Sequence, residues 1–153
     1  MDDLEKSWKT VYLIWIAMLI VLFIYMLVGL SLEDKIDISI DKSLINILRY
    51  IIYFLSGVLV FSIKFVRKYV LDSKSKNKNE YSDNPAVFTY IKATVTSLAM
   101  AEFVAVLGLV LFIVSKNKID LYLLIFISAV SMIVYRPFKE QMVDFVRDYN
   151  ELD

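Results

Sequence analysis

Residues 11–30 form a run of 20 residues without a charge, and such a run wound as an α-helix covers roughly 30 Å, the thickness of a bilayer's hydrocarbon. Three more apolar runs follow. Residues 44–63 carry only Arg49, near one end; residues 93–115 carry only Glu102; residues 121–135 are bounded by Asp120 and Arg136. In hydrocarbon every backbone polar group must be satisfied internally, which leaves helices and closed barrels. Barrel strands alternate apolar and polar residues, whereas these runs are apolar on all sides. The expectation is an all-α fold: an integral membrane four-helix bundle over residues 1–136. Arg49 is expected to snorkel to the headgroups. The fourth run is short, at 15 residues, and must thin the bilayer or recruit Ile119 and Phe138. The first run exceeds a signal-peptide core and follows Asp2, Asp3 and Glu5 rather than basic residues, so it is read as a retained span despite the faint Gly29-Leu30-Ser31 match to a cleavage site.

Composition narrows the function classes. The chain of 153 residues has no Cys, no His, and 17 basic against 17 acidic residues. Disulfides, thiolate nucleophiles, His-based acid/base catalysis and the usual zinc sites are thereby removed. A net charge of zero gives no electrostatic argument for nucleic acid. Hydrolysis within a membrane needs paired acids, a metal set or a nucleophile with a base, and the spans contain one acid and scattered hydroxyls. No enzymatic activity, cofactor or metal is expected; the expected partners are the lipid bilayer and other membrane subunits, or a second copy of the chain.

Orientation follows from basic residues. Lys6, Lys9, Lys64, Arg67, Lys68, Lys74, Lys76, Lys78, Lys92, Arg136, Lys139 and Arg147 share one face, twelve in all, against five on the other: Lys35, Lys42, Arg49, Lys116 and Lys118. Both termini are therefore expected on the cytoplasmic side. Aromatic residues mark the boundaries, with Trp8, Tyr12, Tyr69, Tyr90 and Tyr135 inside and Tyr25, Tyr50 and Tyr122 outside.

The polar stretch 72–85 cannot bury apolar surface and reads as a mobile linker. Its Lys74, Lys76 and Lys78 read as topology determinants, with contact to anionic lipid as the alternative. Over residues 137–153, Phe138, Met142, Phe145, Val146, Tyr149 and Leu152 recur at helical spacing against charged neighbours. That pattern is a C-terminal amphipathic cytoplasmic helix, whose apolar face lies on the leaflet, caps the bundle or docks a partner.

Phe54-Leu-Ser56-Gly57-Val58 and Phe126-Ile-Ser128-Ala129-Val130 share a pattern, each followed at equal distance by a basic residue, Lys64 or Arg136. A tandem duplication of one helical hairpin would produce this. Thr94, Ser97, Ala101, Ala105 and Gly108 fall within about 80° of one another on a helix, a small-residue stripe that permits close approach. Glu102 borders it at mid-span, where a carboxylate must face protein or water. Ser56, Ser128 and Ser131 lie at similar expected depth and are its candidate hydrogen-bond partners. Two roles stand open for Glu102: an interhelical hydrogen bond, or a proton or cation site.

The stretch Ala101-Glu102-Phe-Val-Ala105-Val-Leu-Gly108-Leu-Val110 resembles the ion-binding helix of rotary ATPase c-subunits, in which a carboxylate precedes Gly-Leu-Val. That resemblance implies ion handling by Glu102. The chain differs in lacking a glycine-rich packing helix and in carrying the acid on the first helix of a hairpin. Over most of its length it is similar to small uncharacterised four-span bacterial membrane proteins, through residues 12–18, residues 90–108 and the exit Arg136-Pro137-x-Lys139-Glu140. This implies residence in a bacterial inner membrane. The combined expectation is a non-catalytic accessory or interaction subunit, with a proton- or cation-handling subunit as the alternative.

Overall fold

A computed structural model describes residues 2–32, 41–72 and 84–151, and every regular element among them is helical. In order they are α1 (Asp2–Leu32), α2 (Lys42–Asp72), α3 (Pro85–Ser115), α4 (Lys118–Val134) and α5 (Lys139–Glu151). The first three have 31 residues each, about 46 Å of helix. All three are long and apolar enough to cross a membrane, and α4 with α5 meets the same test as one pair bent by 53°. The expected linker 72–85, with Lys74, Lys76 and Lys78, falls almost wholly outside the described residues. So do Lys35 and most of the first outer loop.

Local chemistry sets the helix ends. Asn84 caps α3, its side chain accepting from the Val87 amide, and Pro85 opens the first turn, where a missing N–H is harmless. Lys116 adopts the left-handed conformation (φ 54°) and returns its amide to Phe112 O at 2.7 Å. Asn117 then caps α4 at once, accepting from the Ile119 amide at 3.0 Å. Two residues thus turn the chain from α3 into α4. At the other end of α4, Pro137 is buried; its ring disfavours helix at Arg136 and produces the bend into α5.

The helix α3 is the hub, touching each of the other four. Of its most apolar window 44% is buried, against 11% for α1 and for α2, so those two lie outside it. On the α4 side Gly108 brings the backbones together: a Cβ there would stand 2.7 Å from Leu124 Cβ. Thr94, Ser97, Ala101, Ala105 and Gly108 are all buried. Ala101 and Ala105 pack with Leu22, Ile63, Leu98 and Met132 in the central cluster.

Two side-chain hydrogen bonds seat α1 in the groove between α3 and α4. Tyr25 OH donates to Glu102 Oε1 of α3 at 3.0 Å, and Trp15 Nε1 donates to Met132 O of α4 at 2.9 Å. Further along, Gly29 lets α1 settle against Leu121, whose Cδ2 would lie 2.6 Å from an added Cβ. On α2, Ile52 packs with Val104, Leu111 and Leu124.

The helix α5 folds back onto the base of the stack. Met142 and Val146 are buried with Ala86, Val87 and Tyr90 of α3, flanked by Leu4 and Trp8 of α1. Tyr90 OH donates to Phe138 O at 3.3 Å, and the Tyr90 and Phe145 rings lie 6.2 Å apart. Of the three placements open to this amphipathic helix, the structure has the one in which it caps its own stack. Met142, expected to dock a partner or the leaflet, is spent on the chain's own α3, because the bend at Pro137 turns that face inward.

Candidate functional site

Two polar centres lie between the helices. The first gathers on Asp120 in the opening turn of α4, with a side chain only 4% exposed. Its Oδ2 accepts from Arg49 Nε at 2.9 Å and from Ser115 Oγ at 3.3 Å; its Oδ1 accepts from Tyr53 OH at 2.7 Å. Four helix segments meet in one carboxylate: two turns of α2, the end of α3 and the start of α4. The helix N-terminus adds partial positive charge on the same acid. A buried acid with its own cation and two hydroxyl donors is a fastening, since every donor points at the carboxylate.

Arg49, expected to reach for the headgroups, thus also has a partner within the protein. The sequence placed Arg49 and Asp120 at the same outer end of neighbouring spans with opposite charges, and that coincidence of depth was the available signal. The attraction between the two charges, with the hydroxyl donors of Tyr53 and Ser115, offsets part of the cost of burying them.

The second centre is Glu102. Its partner is Tyr25 of α1, not one of the expected serines. Ser128 Oγ donates to Ala101 O across the α3–α4 contact at 2.6 Å, and Ser131 Oγ donates to Ile127 O within α4. Ser56 is buried, and its hydroxyl has no hydrogen-bond partner among the described residues. At 100° per residue Glu102 lies 100° around α3 from Ala101, on the edge toward α1, and the serines pack elsewhere. Tyr25, read as a boundary marker, is instead the residue that meets it. Glu102 stays half-buried on the α1–α3 seam.

At the base, Arg67 of α2 stands between two rings, its guanidinium carbon 6.0 Å from the Tyr90 centroid and 5.8 Å from that of Tyr135. These contacts tie α2 to α3 and to the end of α4, as Arg49 does at the opposite end. Arg136 lies over the Phe138 ring at 4.2 Å, helping to fix the bend. Of the other residues expected to dock, Phe145 and Tyr149 pack ring to ring at 6.1 Å, both partly buried against the base cluster.

Among the described residues no group of three or more acids is placed to hold a metal ion. The geometry pins helices at both ends and at the middle, and it leaves one carboxyl, Glu102, reachable from a seam. Compared with known protein families, curated proteins and solved structures, the chain finds no match.

Proposed function

We propose that this chain is a multi-pass membrane protein with four crossings, made by α1, α2, α3 and α4, with α5 folded against their cytoplasmic end, and that it serves a bacterial inner membrane as a non-catalytic accessory subunit. One observation carries the reading: the outside is apolar, and the charged Arg49–Asp120 pair and the Tyr25–Glu102 bond lie between helices. Leu13, Ile20 and Phe23 on α1, Phe54 and Phe61 on α2, Phe103 on α3 and Phe126 on α4 are each exposed by half or more. A water-soluble monomer rarely presents so extensive an apolar surface, and hydrocarbon is its natural solvent. The hydrogen bonds among α1, α3 and α4, and the Asp120 fastening, are devices that hold spans together where lipid supplies no hydrophobic drive. The apolar flanks offer contact to neighbouring subunits or to a second copy.

The basic asymmetry of twelve against five places both termini inside in this reading. A reporter active only in the periplasm, fused after Asp153, is expected to be silent, and one inserted near Asp37 to be active. The reverse pattern overturns the topology.

Glu102 favours a second reading, proton or cation handling, because its carboxyl is half-buried on a seam rather than enclosed. In that case Glu102→Gln abolishes function as fully as Glu102→Ala, and a hydrophobic carbodiimide labels Glu102 in a pH-dependent way. As a structural hydrogen bond to Tyr25, Glu102→Gln is tolerated and Glu102→Ala costs about 0.6–2 kcal/mol of helix association. Stability of the two variants in detergent, read beside the labelling, separates the roles.

A further inference from the structure

At the base of the stack α2, α3, the end of α4 and α5 enclose a cleft of about 550 Å³. Its lining includes Arg67 of α2, Asp144 and Asp148 of α5, and Tyr90, Tyr135 and Val134. We propose that this cleft binds the headgroup of an ethanolamine phospholipid, with the phosphate on Arg67 and the primary ammonium on Asp144 and Asp148. The inference rests on the membrane reading above.

Three features converge on that ligand. The first is charge order. A cation from α2 and two carboxylates from α5 lining one cleft complement a zwitterion, whereas a simple anion would meet the two aspartates and a simple cation would meet the arginine. The second is the setting of Arg67, whose guanidinium carbon lies 6.0 Å from the Tyr90 ring centroid and 5.8 Å from that of Tyr135, with one N–H on the Tyr90 hydroxyl. A guanidinium carries five N–H donors, so one spent on a tyrosine leaves others for the fork that matches phosphate oxygens. The third is continuity. Val134, 63% exposed at the cleft's edge, continues along α4 into exposed Ile133, Val130 and Phe126, an apolar path for an acyl chain whose head sits at the base. A free phosphoethanolamine would have no use for that path.

The two acids select among lipids. Asp144 Oδ1 accepts from Arg147 at 2.9 Å, which leaves its Oδ2 and the Asp148 carboxylate to meet an ammonium. A primary ammonium brings three N–H donors to the carboxylates; the choline head has none and is bulkier. A glycerol head carries no positive charge and leaves net negative lipid against two aspartates.

The test uses the full chain in nanodiscs made from equal parts of ethanolamine, choline and glycerol phospholipids, followed by native mass spectrometry of the lipids that remain bound. The ethanolamine lipid is expected to be enriched about fivefold over choline lipid, the size of one good hydrogen bond. Asp144→Asn with Asp148→Asn should bring that ratio to about one while lipid retention persists, and Arg67→Gln should lower retention of all three. Both acids are on α5, outside the spans, and circular dichroism checks that helix content is unchanged. Equal retention of ethanolamine and choline lipid, preferential retention of glycerol lipid, or a ratio untouched by the double substitution overturns the headgroup site. A chain that inserts and shows no preference removes this inference alone; a chain that will not enter the nanodisc removes the membrane reading with it.

Discussion

Arg49 and Asp120 show how little freedom a single buried acid leaves. Asp120 is closed off by Arg49, Tyr53 and Ser115, and each partner is satisfied by the same two oxygens. Arg49 is 28% exposed at its side chain and Asp120 only 4%, so the two members are unequal. Removing the arginine strands a buried carboxylate; removing the acid lets the arginine reach water. Arg49→Met is therefore expected to destabilise the stack by about 3 kcal/mol, and Asp120→Leu by less. The double variant should recover most of the loss, leaving a coupling of roughly 1–3 kcal/mol between the sites. Denaturant titration of helix content in detergent measures all three variants, and purely additive single effects would show that the pair does not act as one unit. Glu102 has an equally local logic, since its neighbour is chosen by which edge of α3 it occupies.

At the scale of the helices, length was legible and partnership was not. Four apolar runs announce helices because hydrocarbon-length apolar stretches have few other uses, and the caps at Asn84 and Asn117 with Pro85 and Pro137 mark ends that propensity alone would blur. The small-residue stripe was readable as a contact face, for Gly108 and the alanines permit what larger side chains forbid. The partner of Glu102 was not readable: hydropathy gives position along a helix, and a hydrogen bond also needs the angle around it. Ser56 and Ser128 matched in depth and differed in direction. The amphipathic pattern of α5 likewise predicted an apolar face and left its neighbour open, because that neighbour is set by the bend at Pro137. Its packing has a direct consequence. Met142, 1% exposed, is the peg that holds α5 to Ala86, Val87 and Tyr90. Met142→Asp is expected to raise hydrogen exchange at least tenfold over residues 139–151 while protection across residues 98–112 is unchanged, the signature of a separately opening unit. Loss of protection in both segments would mean that α5 and the stack open together.

For the molecule as a whole, the arrangement is radial: α3 in the middle, α1 in one groove against α3 and α4, α2 on another flank fastened at its two ends through Arg49 and Arg67. An apolar rim follows from that plan, as does a base closed by α5. The radial plan also imposes a timetable on synthesis. The first two helices leave the ribosome before the one against which both chiefly pack, and at about 5–20 residues per second they wait several seconds for residues 85–115 to arrive. During that interval Gly29 lacks Leu109, Phe112 and Leu121, and Ile52 lacks Val104, Leu111 and Leu124. A nascent hairpin ending at residue 83 is thus an orphan, a client for membrane chaperones or proteases rather than a folding intermediate with stability of its own. Its half-life in a pulse-chase experiment is expected to be several-fold shorter than that of a chain extended through residue 136, and co-expression of residues 84–153 as a separate piece should rescue it. Equal lifetimes would mean that the early pair carries its own stability, and the order in which the helices are made would then be free of consequence.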